Sequence, residues 1–160
     1  VLVLISYARR IKADWVRVCD IFTPALAFAH ALGRIGCFLN GCCFGKPAEG
    51  CFWAVVYPAG SEPFRRYGAL PLHPVQLYEA GLNILLGLLL WFLLRHTKRG
   101  VTMGVYVLAY GLLRFLDEFF RGDHTRLLDG FTPAQVIGFG LIPLGMVFTL
   151  YFSLRKAPKA

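Results

Sequence analysis

Four apolar segments of about 20 residues constrain this chain more than any other feature. They cover residues 20–39, 74–94, 103–120 and 132–154, and the end of a fifth apolar run lies at 1–7. A helix of about 20 apolar residues is long enough to cross the hydrocarbon core of a bilayer. The pattern therefore predicts an all-α fold, a polytopic transmembrane helix bundle with four complete spans plus the end of a fifth.

The composition agrees with a membrane protein. Hydrophobic residues make up 57% of the chain and charged residues 16%, whereas about a quarter of a soluble domain is charged. The sequence starts without Met inside the apolar run VLVLISY, so we expect it to be the later portion of a longer chain. No internal repeat divides it, and we predict one transmembrane domain over residues 1–160.

The loops between these segments alternate between two sides of the predicted membrane, and their charges differ. One side carries Arg9, Arg10, Lys12, Arg17, Arg95, Lys98, Arg99, Arg155, Lys156 and Lys159 against Asp14 and Asp20. The other side carries equal numbers of basic and acidic residues, so the whole net charge of +8 lies on the first side. Excess Lys and Arg mark the cytoplasmic face, which places the C-terminus there. The charge forms no continuous basic stripe, so it does not indicate a nucleic-acid partner.

The longest connection, residues 41–72, is expected on the outer side. It is rich in Gly and Pro and includes CFWAVVYP, which has the character of a strand. We predict a small periplasmic subdomain made of loops. Thr132 followed by Pro133 is a typical start of a helix and marks the beginning of the last span.

Ionisable residues inside a span are functional candidates because burying charge in lipid is costly. In YGLLRFLDEFFR, Tyr110, Arg114 and Glu118 recur every four residues and Arg121 follows three later, which predicts one stripe on a helix. One interpretation is a structural Arg–Glu pair between helices. The other is an electropositive pocket in which Glu118 orients the guanidinium groups. Two arginines for one or two acids would leave positive charge for an anion such as phosphate.

A further arginine precedes three cysteines in GRIGCFLNGCCFG, residues 33–45. Arg34 is flanked by Gly33 and Gly36 near the outer end of its span. It either extends to the lipid interface, as long basic side chains do, or shares a site with Arg114 and Arg121 at similar depth. The segment HPVQLYE adds polar residues at a predicted helix start, where His73 is a base, a ligand or only a helix-start residue.

Four of the five cysteines lie toward the outer side. They are Cys37, Cys42, Cys43 and Cys51, and their spacing matches neither a CxxC redox pair nor a zinc ribbon. A structural disulfide from Cys51 to Cys42 or Cys43 is the simplest interpretation. We predict no metal and no cofactor.

Three motifs together resemble the prolipoprotein diacylglyceryl transferases, multispan enzymes of the bacterial inner membrane. GRIGCFLNGCCFGKP is similar to the family signature G-R-x-G-N-F-x-N-x-E-x-x-G, HPVQLYEA to its H-P-[ST]-Q-L-Y-E block, and YGLLRFLDEFFR to its Y-x-x-x-R-x-x-x-E-x-x-R helix. The resemblance covers essentially the whole chain and corresponds to the later part of the family's enzyme. The chain departs from the signature at Cys37, where the family commonly has Asn, and at Cys42, where it has Glu.

The resemblance implies roles for individual residues. It implies catalytic roles for Arg34, Tyr110, Arg114 and Glu118. It implies substrate binding by Arg34, Asn40, Gly41, Gly45, His73, Gln76, Glu79 and Arg121.

The implied reaction moves an sn-1,2-diacylglyceryl group from phosphatidylglycerol to the cysteine thiol of a prolipoprotein lipobox, forming a thioether. The implied partners are phosphatidylglycerol, prolipoprotein signal peptides with a lipobox cysteine, and the lipid bilayer. The implied location is the bacterial inner membrane, with the active site toward the periplasm. Two alternatives stay open, a membrane thiol–disulfide oxidoreductase and a non-catalytic lipid-binding member of the family.

Overall fold

The computed structural model describes residues 2–122 and 131–155, which form a bundle of helices. The helices are α1 (Leu2–Arg10), α2 (Trp15–Asn40), α3 (Glu62–Tyr67), α4 (Val75–His96), α5 (Val101–Asp117) and α6 (Pro133–Leu154). Strand-like pairing in the described ranges is limited to isolated bridges, one of which joins Val55 to Leu72. The predicted all-α fold is confirmed, and CFWAVVYP forms a single bridge in place of a strand.

Among the residues that the structure describes, three helices are long and apolar enough to cross a membrane, namely α2, α4 and α6. Their outward faces carry large apolar side chains such as Leu85, which is 63% exposed, and Phe139, which is 72% exposed. Such faces are expected where lipid surrounds the helices, and they identify a membrane protein. The helix α5 has 17 residues, fewer than the predicted segment 103–120.

Small residues bring α5 and α6 into close contact. A Cβ atom at Gly104 would lie 2.7 Å from the backbone nitrogen of Thr149, and one at Gly138 would lie 2.9 Å from the carbonyl oxygen of Gly111. Small residues let transmembrane helices approach in this way because lipid offers no hydrophobic driving force between them. On the other side of the bundle, α4 packs against both α2 and α5. The helices that carry Arg34 and Arg114 therefore meet at α4.

One end of the bundle, which we name the basic end, contains the starts of α2 and α5 and the ends of α4 and α6. There the buried carboxylate of Asp20 accepts backbone N–H bonds from Gly100 (2.5 Å) and Met103 (2.9 Å). Asp20 thus supplies the cap that Gly100, the N-cap residue of α5, lacks a side chain to make. The predicted charges of Lys156 and Lys159 lie outside the described residues.

At the opposite end, residues 41–72 fold around a small core of Phe44, Tyr57 and Leu72. The backbone next to Phe44 is held from two directions. The N–H of Gly45 donates to the carbonyl of His73 (3.2 Å), and the N–H of Lys46 donates to the carbonyl of Phe120 (2.9 Å). This segment therefore ties the end of α2 to the start of α4 and to the residues that follow α5.

Candidate functional site

The centre of the site is Glu79 on α4, which contacts two arginines from different helices. One carboxylate oxygen forms an ion pair with Nε of Arg34 on α2, and the other lies 3.7 Å from Nη1 of Arg114 on α5. The side chains of Arg34, Glu79 and Arg114 are 13%, 8% and 17% exposed. The structure therefore brings the two predicted arginines together through Glu79, a residue implied only to bind substrate.

Arg114 also faces two carboxylates near the end of α5. Its Nη1 lies 3.5 Å from Asp117 and 3.6 Å from Glu118. The expected ratio of two arginines to one or two acids is therefore wrong, because Arg114 alone contacts three carboxylates. Sequence reasoning missed Asp117, although its position three residues after Arg114 places it on the same helix face. We name Arg34, Glu79, Arg114, Asp117 and Glu118 the arginine cluster.

The predicted helical stripe from Tyr110 to Arg121 is wrong at its last member. The helix α5 ends at Asp117, and Glu118 is its C-cap residue. The chain then turns, and Arg121 forms a backbone bridge with Gly45. The physical reason is that pairing with residues 44–46 replaces the next helical turn. Arg121 is 6% exposed, and it lies beyond the end of the helix, although its charge still acts on the carboxyl group of Asp117.

A cavity of about 300 Å³ lies against the arginine cluster. Its lining residues are His30, Tyr78, Glu79, Leu82, Asn83, Tyr110, Leu113, Arg114, Leu116, Asp117 and Phe120. Apolar walls with a few converging polar groups are typical of a small-molecule site. Three residues that were predicted from the sequence line this cavity, namely Tyr110, Glu79 and Arg114.

Besides Asp117 and Tyr78, the lining holds two polar residues that were not predicted from the sequence. The ring of His30 lies 5.4 Å from the ring of Tyr110, and the amide of Asn83 donates to the backbone carbonyl of Glu79 (2.8 Å). Helical spacing was the available signal for both. His30 precedes Arg34 by four residues and Asn83 follows Glu79 by four, so each shares a helix face with a cluster residue.

Residues of the HPVQLYE segment make contacts of two kinds, one within the segment and one to the end of α2. His73 lies just before α4, which begins at Val75 with Pro74 as its N-cap residue, as expected of a residue at a helix start. Its Nδ1 lies 3.1 Å from the hydroxyl of Tyr78. Gln76 is buried and its amide donates to the carbonyl of Cys42 (2.7 Å), which ties α4 to the end of α2. Neither His73 nor Gln76 is among the described residues that line the cavity.

Three residues of the GRIGCFLNGCCFG motif shape the backbone at the end of α2. Asn40 is the exposed last residue of the helix. Gly41 has φ +68° and its N–H reaches the carbonyls of Cys37 and Phe38, a common helix ending in which glycine avoids steric cost. At Gly45, a Cβ atom would lie 2.8 Å from Cβ of His73. Their implied contacts with substrate stay predictions.

All five cysteines are free, so the expected disulfide from Cys51 to Cys42 or Cys43 is absent. Cys51 lies in a turn closed by hydrogen bonds with Ala48 and Ala54. Cys42 and Cys43 instead converge on Cys37, and the three Sγ atoms lie within 4.8 Å of one another.

Comparison with known proteins gives the family of the chain. The sequence pattern of the family described as prolipoprotein diacylglyceryl transferase matches residues 1–151. The chain belongs to this family. Membership in the prolipoprotein diacylglyceryl transferase family confirms the resemblance inferred from the three motifs.

Individual members of the family show the extent of the similarity. The chain is 36% identical to the phosphatidylglycerol–prolipoprotein diacylglyceryl transferase of Idiomarina loihiensis, over 88% of this chain and 52% of the relative. It is 35% identical to that of Paramagnetospirillum magneticum, over 98% and 58%. It is 31% identical to that of Proteus mirabilis, over 92% and 57%. The chain thus spans about half the length of these curated relatives.

Proposed function

We propose that this chain takes part in the transfer of a diacylglyceryl group from phosphatidylglycerol to the lipobox cysteine of a prolipoprotein. The observation that carries the proposal is the pair of arginines, Arg34 and Arg114, joined by Glu79, with Arg114 and Glu79 lining an apolar cavity. A guanidinium group binds phosphate oxygens through a planar fork. The apolar lining suits acyl chains next to that head group. The names of the relatives point to the same substrates.

The proposed topology has four complete spans within one domain, residues 1–160. At 1.5 Å per residue, the 17 residues of α5 extend about 26 Å, near the lower limit for a span. The basic end faces the cytoplasm, together with the C-terminus, by the positive-inside rule. The arginine cluster and the subdomain of residues 41–72 then face the periplasm, and the membrane is the bacterial inner membrane.

The proposed reaction forms a bond between the acceptor sulfur and the glycerol carbon. The bond from that carbon to the phosphate oxygen breaks, and glycerol phosphate leaves with the electron pair while the thiol loses its proton. Arg34 and Arg114 stabilise the charge that grows on the leaving phosphate. The acceptor thiol belongs to the prolipoprotein, so the proposed reaction requires no cysteine of this chain, no cofactor and no metal.

The other family residues have positioning or binding roles in this proposal. Glu79 and Glu118 hold the guanidinium groups, and Tyr110 or Asn40 donates a hydrogen bond to the glycerol. His73 is a candidate to accept the thiol proton. The remaining residues assigned to substrate binding are Gly41, Gly45, Gln76 and Arg121.

The test of function uses the full-length gene in a bacterial strain depleted of its own transferase. We expect growth to be restored and purified protein to transfer diacylglycerol from phosphatidylglycerol to a lipobox peptide. Arg114→Lys should fail, whereas Arg95→Lys, at the basic end, should succeed as the matched control. A folded protein that binds phosphatidylglycerol vesicles without transfer would instead indicate the non-catalytic lipid-binding member.

The topology has its own test. Reporter fusions after Lys46 and after Lys159 should report opposite sides of the inner membrane. The same compartment for both would contradict the proposed orientation.

A further inference from the structure

We infer that Cys37, Cys42 and Cys43 form a binding site for one soft, thiophilic cation, either Zn²⁺ or Cu⁺. Their three Sγ atoms lie within 4.8 Å of one another. Thiolates are the ligands that select these two ions over harder metals. The site goes beyond the proposed transfer reaction, which requires no metal, so either proposal can fail without the other. We name these three residues the thiol cluster.

The backbone at the end of α2 creates the thiol cluster. Cys37 lies in the last turn of the helix, and Gly41 then takes φ +68° and Cys43 φ +60°. These two left-handed residues fold the chain back, so that the N–H of Cys42 donates to the carbonyl of Cys37 (3.1 Å). A non-glycine residue rarely adopts this conformation. Cys43 adopts this left-handed conformation, and its thiol lies close to those of Cys37 and Cys42.

Contacts with neighbouring elements hold this backbone in place. The amide of Gln76 donates to the carbonyl of Cys42 (2.7 Å). Phe44, which follows Cys43, is completely buried in the core of the loop subdomain. The thiol cluster is therefore attached to α4 and to a packed core and does not depend on a free loop. Only side-chain rotation is needed to adjust the sulfur positions.

The spacing suits metal binding after a small contraction. A Zn–S bond of about 2.3 Å in tetrahedral geometry requires sulfur atoms about 3.8 Å apart. Each pair of Sγ atoms must therefore approach by roughly 1 Å at most, which χ1 rotations supply. Among the described residues, the group of convergent ligands has these three members. Three thiolates leave a fourth position for water on Zn²⁺, or complete a three-coordinate Cu⁺ site.

Half-burial of the three side chains fits a site that an ion can enter. The thiols must lose their protons to bind, so binding should release protons to the solvent. The other two cysteines, Cys19 and Cys51, lie outside the thiol cluster and provide controls within the same chain.

The experiment uses the full-length protein in detergent, reduced and freed of metal by a chelator. Zn²⁺ and Cu⁺ are titrated separately, and Co²⁺ replaces Zn²⁺ as an absorbing probe. We expect one ion per chain and a near-ultraviolet thiolate-to-cobalt absorption band. Cys37→Ser, Cys42→Ser and Cys43→Ser should each weaken binding at least about tenfold, because even the loss of a group that only orients a ligand costs about 10- to 100-fold in affinity. Cys19→Ser and Cys51→Ser should leave binding unchanged.

A measurement on the unmodified chain covers the case in which a variant fails to fold. Bound metal should slow alkylation of the thiol cluster at least about tenfold while Cys51 reacts at an unchanged rate, as mapped by mass spectrometry. Protection by Zn²⁺ alone or by Cu⁺ alone identifies the ion. Lack of protection by either would overturn the site. A disulfide from Cys37 to Cys42 or Cys43 that resists the reducing agent, and is still present after metal is added, would overturn the metal site in favour of a redox pair.

Discussion

The basic end and the arginine cluster both join helices through charged residues, yet they differ in exposure. At the basic end, Arg99 contacts Asp14 at 2.6 Å, and their side chains are 41% and 37% exposed. In the arginine cluster, Arg34 and Arg114 contact Glu79 with side chains between 8% and 17% exposed. Exposed pairs contribute little to stability, and buried pairs offset their desolvation only when the geometry is good. Stability therefore gains little from the first pair, and only the second carries a desolvation cost that calls for another explanation.

This contrast indicates which charged residues are functional candidates. At the basic end, charges pair near the surface and, in the proposed topology, set the orientation. In the arginine cluster, five ionisable residues meet and three of them, Glu79, Arg114 and Asp117, line a cavity, which favours the proposed binding of a ligand there. Substitutions at the two ends should therefore differ in kind, with losses of activity at one and small changes of stability at the other.

The largest effect is expected for Glu79→Gln, because Glu79 contacts both arginines. Gln keeps the shape but removes the charge, which leaves Arg34 and Arg114 without their shared partner. Breaking a buried pair costs about 3–5 kcal/mol of unfolding free energy, and transfer activity should be lost. Thermal unfolding in detergent and a lipobox-peptide transfer assay measure the two effects.

The exposed acid Glu62, on α3, gives the matched control, and Glu62→Gln should behave like the unmodified protein. Glu118→Gln should be less harmful than Glu79→Gln. The opposite order would favour the sequence-based view in which Glu118 orients the arginines.

The next effect concerns Arg34→Lys and Arg114→Lys. Each substitution keeps the charge but removes the planar fork. Loss of a preorganised donor typically costs about 100- to 1,000-fold in rate, so turnover should fall by about that factor with expression in membranes unchanged. Arg95→Lys serves as the control. Near-normal turnover in both cluster variants would leave these arginines as structural partners and remove the contrast between the two ends.

The sequence predicted the parts of this contrast that depend on local pattern. Apolar segments of about 20 residues indicated the helices, and Thr132 with Pro133 indicated the start of α6, where Thr132 and Gln135 form a capping box. Motif spacing pointed to Arg34 and Arg114. These features depend on residues within a few positions of each other, so a linear sequence displays them.

The sequence did not predict features that depend on contacts between distant segments. The partner of Arg34 is Glu79, 45 positions later in the chain, and nothing local selects it over Glu118. Arg121 leaves the helix because Gly45 pairs with it. The thiol cluster depends on the left-handed backbone of Cys43, for which a cysteine gives no signal. Tertiary contacts decided all three.

A moderate effect is expected for Asp20→Asn at the basic end. The carboxylate accepts N–H bonds from Gly100 and Met103, and hydrogen bonds to a charged group contribute about 1.5–3 kcal/mol. Asn removes the charge and one acceptor, so the thermal midpoint should fall by several degrees. Transfer activity per folded protein should not change, in contrast to Glu79→Gln. A loss of turnover without a shift in the midpoint would contradict a purely structural role for Asp20.

The smallest effect is expected for Arg99→Gln, which removes the exposed pair with Asp14. Partial burial opposes ionisation of Asp14, but the hydrogen bond and charge of Arg99, with backbone N–H groups at the start of α2, lower the pKa of its carboxyl below the ordinary value. A lowered pKa in the folded state stabilises the protein above the ordinary pKa of about 3.9. That contribution is lost as the pH falls through the lower folded value.

Because the pair of Arg99 and Asp14 is exposed, it should contribute at most about 1 kcal/mol. Thermal midpoints of the variant and the unmodified protein should therefore differ slightly at neutral pH, with the difference shrinking below about pH 4. A difference as large as that of Glu79→Gln would show that the two ends do not differ as their exposure indicates.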